Sequence, residues 1–259
     1  MNAPTPHFFA AARGLWTLTW RSRVTWKRLP LFLTLNLSLP VFAASVFRSG
    51  ESEPFQRLLM QLYFFSILPI FCISEFGAMI RDELQEDTMT FLITRPLTRA
   101  RIFLLKYLTV GLWVQLIALG NGLAFWAAGI WLEVPDLASL ILRLVFVQAL
   151  AVLAYGALAS LLGLITQKYL IAGIVYGMIV EFGFGQIPTN INVLSISHHL
   201  QSLLAHHPGL QGLYQWEAAP LPSALGMVLL GTGFFLGLAT LMFHLREYHH
   251  AEEMQKGGS

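Results

Sequence analysis

The chain has 259 residues, of which 56% are hydrophobic and only 12% charged, with a mean hydropathy of +0.62 and a net charge of +2. Soluble domains carry about twice that share of charge, and so small a net charge suits neither a disordered chain nor a nucleic-acid-binding surface. The lone Cys72 excludes an internal disulfide framework and a multi-cysteine metal site. What remains is an all-α integral membrane protein, read as a single transmembrane domain over residues 1–259.

Residues 8–28, FFAAARGLWTLTWRSRVTWKR, suit an amphipathic helix. Phe8, Phe9, Ala12, Leu15, Trp16, Thr19 and Trp20 share one arc, while Arg13, Arg21 and Arg28 lie opposite and Arg23 and Lys27 intrude on the apolar side. Aromatic residues on one face and basic residues on the other place such a helix in the membrane interface. A spanning helix needs about 20 apolar residues to cross about 30 Å of hydrocarbon. Six segments meet that requirement: roughly Leu29–Phe47, Leu58–Ile80, Phe103–Leu132, Ser139–Thr166, Tyr169–Ile187 and Ala224–Leu245. Polar RSGESEPFQR separates the first two, and an EVPD turn the third from the fourth.

Of the 16 Lys and Arg residues, 13 fall on the side of the N-terminal segment and the loop from Arg81 to Lys106, and only Arg48, Arg57 and Arg143 fall opposite. The positive-inside rule then puts both termini in the cytoplasm of a cell whose inner membrane holds the chain. The first apolar run is long enough to span and starts late, unlike a cleaved signal.

The loop RDELQEDTMTFLITRPLTRARIFLLK holds nine of the chain's 30 charged residues. Acidic Asp82, Glu83, Glu86 and Asp87 precede a helix-capable stretch, Thr88–Thr94, which Pro96 ends before a basic cluster. That order complements a helix dipole, so the loop is expected to offer a short charged helix to the cytosol. On the other side, residues 188–223 contain no Lys or Arg and four histidines. The run VLSISHHLQSLLAH puts Ile196, Leu200, Leu203 and Leu204 on one face, as expected of a helix lying on or dipping into the outer leaflet.

Glu75 and Glu181 are the two acids expected within the hydrocarbon, where an unpaired carboxylate is costly. Glu75, near the cytoplasmic end of its span, is within reach of Arg81 or another base; Glu181 has no oppositely charged sequence neighbour and is a candidate for either the transport path or a structural hydrogen bond. Gln115, Asn121 and Gln148 suit interhelical hydrogen bonds, and Gly173-xxx-Gly177 and Gly233-xxx-Gly237 suit close helix packing. His199 and His206 could share a helix face but would stand about 10 Å apart along the axis, too far to hold one ion. No metal site is therefore expected, and the histidines read as solvated or interfacial. Phe64, Phe65, Phe71, Tyr176, Phe182 and Phe184 suit either an amphipathic cargo or plain lipid contact. No hydrolase motif and no catalytic residue emerges, and the phosphate loop GxxxxGK[ST] is missing.

In the charged loop, Glu83 is followed four residues later by Asp87-Thr88, then Phe91-Leu92-Ile93, Pro96, Thr98-Arg99 and Lys106. This arrangement resembles the permease subunits of type-2 ABC transporters, a class that includes many bacterial drug, polysaccharide and copper-associated exporters. The usual pattern has Gly where Asp87 stands. The resemblance implies six spans, an interfacial N-terminal helix, and an external helical segment before the last span. It also implies a coupling helix that seats in a separate ATPase subunit, with Glu83, Asp87, Thr88, Phe91, Leu92, Pro96, Thr98, Arg99 and Lys106 as its coupling residues. ATP and Mg would bind that partner and no cofactor this chain. A second permease subunit would complete the assembly, its dimer interface formed mainly by spans one, two and five. Two alternatives stay open: an ABC-type subunit that passes motion to an external partner without carrying a substrate, and a membrane scaffold outside the class.

Overall fold

A computed structural model of the protein describes residues 8–23, 29–47, 52–85, 98–183, 190–211 and 218–245, and every element in them is helical. Helices α1 (Phe8–Arg23) and α2 (Leu29–Val46) precede α3 (Ser52–Leu58), which runs through a π-helical stretch, Leu59–Ile67, directly into α4 (Leu68–Gln85). Then come α5 (Arg99–Trp131), α6 (Leu137–Ile165) and α7 (Tyr169–Tyr176), the last continued by π-helical Gly177–Gly183. A 3-10 turn, Asn190–Leu194, leads to α8 (Ile196–Ala205), α9 (Pro208–Gln211) and α10 (Leu221–Leu245).

Among the described residues, four helices are long and apolar enough to cross a membrane: Glu53–Arg81, Arg99–Trp131, Leu137–Ile165 and Leu221–Leu245. They cover the second, third, fourth and sixth of the expected spans. The expected first and fifth form shorter apolar helices, Leu37–Val46 and Tyr169–Glu181. Pro40 lies inside α2, where it removes a backbone donor, and α7 passes into π geometry after Tyr176. The polar stretch expected to connect the first two spans is itself partly helical. Its Glu53 and Arg57 pair one turn apart at 2.8 Å, and Phe55 is fully buried against Phe125.

At the centre of the bundle is α6, which α4, α5, α8 and α10 all contact. Lipid tails are as apolar as leucine, so close packing rather than escape from water must hold such helices together. The α4–α6 seam shows how. A side chain at Gly163 would run into the Gly77 backbone, and one at Gly156 into the ring of Phe76. Gly173 of the expected packing motif likewise abuts Ile73 of α4, whereas Gly177, Gly233 and Gly237 have open space where a side chain would project. Phe64 and Phe65, expected at cargo or lipid, are instead buried in the core; Phe71 is part-buried against it.

Helix α1 lies along α5, with Trp16 stacked on Trp20 and Trp20 edge-on to Trp113. Helix α8 differs from the amphipathic surface helix expected there. It packs against both α6 and α10, and all of its residues except Gln201 are buried. The polar side chains of its second face tolerate this because they bond to nearby backbone: Ser202 Oγ donates to the His198 carbonyl at 2.9 Å, and His199 Nε2 to that of Val193 at 2.8 Å. His198, His199 and His207 are thus buried rather than solvated, and His206 alone of the four is exposed.

Candidate functional site

The expected coupling residues Asp87, Thr88, Phe91, Leu92 and Pro96, with the short helix expected over Thr88–Thr94, lie outside the described residues. The helices that bracket them are described. Glu83 falls in the last turn of α4, and Thr98 is the N-cap of α5, its backbone extended and its side chain making no cap bond. From Thr98 onward, the chain is fastened to two other helices within three turns. The Arg99 guanidinium donates to the His244 carbonyl in the last turn of α10 at 3.5 Å, where a cation complements the negative end of the helix dipole. One turn on, Phe103 packs against Phe243 of α10, the rings tilted by 36° with centres 5.5 Å apart.

Lys106 then turns inward. Its residue is only 5% exposed, and its ammonium donates to the Met79 carbonyl of α4 at 3.1 Å. Glu75 sits one turn before Met79 on that helix and is equally buried, so the acid and the ammonium belong to the same α4–α5 seam. Lys106, expected among the coupling residues, has its side chain turned into the bundle. Arg101 is exposed.

At the opposite end of the bundle, Glu181 is buried in the π-helical stretch after α7. Among the described residues its partners are amides and hydroxyls rather than a cation. Ser195 Oγ donates to it at 2.6 Å, the Ser197 N–H at 2.8 Å and the Ile196 N–H at 3.3 Å. Tyr176, five residues earlier, bonds to the same carboxylate. Ser195 is also the N-cap of α8, accepting from the His198 N–H at 3.2 Å. A negative charge therefore rests on the free N–H groups at the start of α8, where the helix dipole favours it. Glu181, a candidate from sequence for either the transport path or a structural hydrogen bond, makes hydrogen bonds that tie its segment to α8.

Sequence reasoning missed the roles of four residues. Tyr63 donates to Gln148 Oε1 at 3.0 Å and accepts from Asn121, so the two expected interhelical amides meet through a tyrosine on a third helix. Ser195 and Ser197 carried no motif, and only their position just ahead of an apolar helical run marked a cap. His207, expected in a solvated pair with His206, bonds through Nε2 to Ser139 Oγ of α6 at 2.9 Å. Burial, then the charge of Arg143, lowers its pKa, while Asp136 opposes. Among the described residues no group of three or more His, Cys, Asp or Glu is arranged to hold a metal.

The polar residues thus divide into a fastening around the charged loop and another around α8, joined by long apolar helices. The family model described as ABC-2 family transporter protein matches residues 23–186, well over half of the chain. The chain belongs to that family. It is accordingly a membrane protein of the permease type, the membrane component that works with an ABC ATPase. The matched part of the permease takes in α2 to α7 and the whole charged loop, while α8 to α10 lie beyond it. No curated protein matches the permease.

Proposed function

We propose that this permease is the membrane-spanning half of an ATP-driven exporter, coupling hydrolysis by a separate ATPase subunit to movement of a substrate across or out of the cytoplasmic membrane. The observation that carries the reading is the fastening of α5 immediately after the charged loop. A force applied to residues 86–97 reaches α5 at Thr98 and is shared with α10 through Arg99 and Phe103, and with α4 through Lys106. Such an element moves as a body when pushed. In this reading Glu83, Asp87, Thr88, Phe91, Leu92, Pro96, Thr98 and Arg99 form or flank the ATPase contact, and Lys106 passes the displacement inward. ATP and Mg act on the partner. The chain completes six spans with both termini cytoplasmic, and two such halves pair. The test is co-purification from cells expressing the permease with an ABC ATPase: replacing residues 82–101 by a neutral linker of equal length should abolish capture of the ATPase and ATP-driven export. Undiminished assembly and activity would overturn the reading.

One observation favours a second reading in which motion passes to an external partner without a carried substrate. Glu181 ties the end of the fifth apolar segment to α8, so displacement of that segment would be delivered to residues on the far side. ATPase activity stimulated by candidate cargo in vesicles lacking any partner would decide for export.

A further inference from the structure

On the far end of α6, a second polar group is left over from the fastenings described. Ser139 and Arg143 stand one turn apart on the same face of that helix, and His207 reaches Ser139 from the segment after α8. The bonding there can be followed atom by atom. Ser139 Oγ donates to the Asp136 carbonyl at 2.9 Å and so accepts from His207 Nε2–H. The Arg143 guanidinium is different: its Nη1 is sealed from solvent and has no hydrogen-bond acceptor among the described residues. A buried guanidinium nitrogen without an acceptor is costly, and planar two-pronged oxyanions are what its fork fits. Asp136, which acts on the His207 imidazole, makes no hydrogen bond to that nitrogen.

The depth of Arg143 says which oxyanion. Helix α6 has 29 residues, so it is about 43 Å long, about 13 Å more than a hydrocarbon core. If that excess is shared between its ends, Arg143, about 9 Å from the start of the helix, lies within a few ångströms of the hydrocarbon boundary. Exposed Trp126 and Trp131 on the adjoining end of α5 mark the same level, as tryptophans do at membrane interfaces. The acceptor available at that depth is a phosphate ester.

We propose that Arg143, with Ser139 and His207 beside it, forms a phosphate-binding site at the α5–α6 end of the bundle. The guanidinium holds two phosphate oxygens, and the hydrogen-bonded Ser139–His207 pair walls the site. The site requires only that the chain be embedded in a bilayer, and it stands or falls independently of coupling to an ATPase.

The experiment uses the full-length protein in detergent, titrated separately with phosphatidylglycerol, with diacylglycerol bearing the same acyl chains, and with inorganic phosphate, bound species being counted by native mass spectrometry. The wild type should bind phosphatidylglycerol about tenfold more tightly than Arg143→Gln, with Arg143→Lys between them and diacylglycerol equally weak on all three. Loss of lipid discrimination with no inorganic phosphate binding assigns a headgroup as the ligand. Inorganic phosphate binding that Arg143→Gln removes assigns a free phosphate. Equal phosphatidylglycerol and phosphate affinities in wild type and Arg143→Gln overturn the proposal. Should Arg143→Gln fail to fold, Ser139→Ala decides: about threefold weaker lipid binding supports the site, and unchanged binding overturns it.

Discussion

The two ends of this bundle solve one electrostatic problem with opposite charges. Beside the charged loop, Arg99 and Lys106 place cations on backbone carbonyls, one of them at the closing turn of α10. At the far end, Glu181 places a carboxylate on the opening N–H groups of α8. Each charge meets helix backbone of complementary polarity, which is the economical arrangement where a free ion would be costly. The difference lies in reach. The loop end joins three long helices into one body, whereas the far end fastens a single ten-residue helix, so displacement entering at the loop is spread widely and leaves through a narrow attachment.

The largest test of this contrast is to break what both ends share. Gly163→Leu would drive a side chain into the Gly77 backbone on the α4–α6 seam, and because backbone cannot swing aside, the cost should reach about 3 kcal/mol or more. Loss of a monodisperse detergent-solubilised species is expected; a stable, monodisperse variant would show that the seam opens without consequence. Breaking the loop end alone comes next. Lys106→Met removes a charged hydrogen bond worth about 2 kcal/mol and should lower thermal stability while leaving hydrogen exchange in α8 as it was. Equal acceleration in both regions would mean that the two ends are not separate units. Glu181→Gln keeps the shape and removes the charge, so its effect should be about 1 kcal/mol, seen as faster exchange over residues 195–205 with α4 and α5 unchanged. If exchange at α8 stays slow, the charge on that helix start is immaterial.

The smallest effect is a pH dependence confined to the far end. Burial, then the neighbouring His199, lowers the pKa of His198, and His207 is lowered too. The folded protein therefore holds these rings neutral more strongly than the unfolded chain does. Their contribution to stability is full above about pH 6.5 and is lost as the pH falls from there through the lowered folded values. Protease cleavage near α8 should increase on acidification, and less so in His198→Gln. Equal acid sensitivity in that variant would place the effect elsewhere.

Hydropathy made the long helices legible, since a run of apolar residues bounded by charge has few other physical outcomes. It identified α5, α6 and α10 nearly to their ends and the helical character of α8. It did not reveal that α8 is enclosed, because an amphipathic pattern is equally consistent with lipid on one face or with polar side chains that bond back to their own backbone, as His199 and Ser202 do. The partner of Glu181 was invisible for a related reason. A search for opposite charge passes over amides, which carry no side-chain signature at all. Asn121 and Gln148 were read as interhelical linkers, but the phenol between them, Tyr63, looked like one more apolar residue in its run. For Lys106 the motif carries no information on side-chain direction, and only the packing of α5 on α4 shows that its side chain points in.

The π-helical stretch at Leu59–Ile67 bears on how the second expected span meets its neighbours. Each wide turn takes in an extra residue, so the helix before it and the helix after it are rotated out of phase with each other. Phe55 on one side faces Phe125, and Phe76 on the other closes over Gly156, two contacts on different neighbours that a uniform helix would have to compromise between. The stretch acts as an offset coupling in a shaft. Deleting a single residue within it would turn the outer portion by about 100° relative to the inner, swinging Phe55 away from its neighbour while leaving the glycine seam as it is.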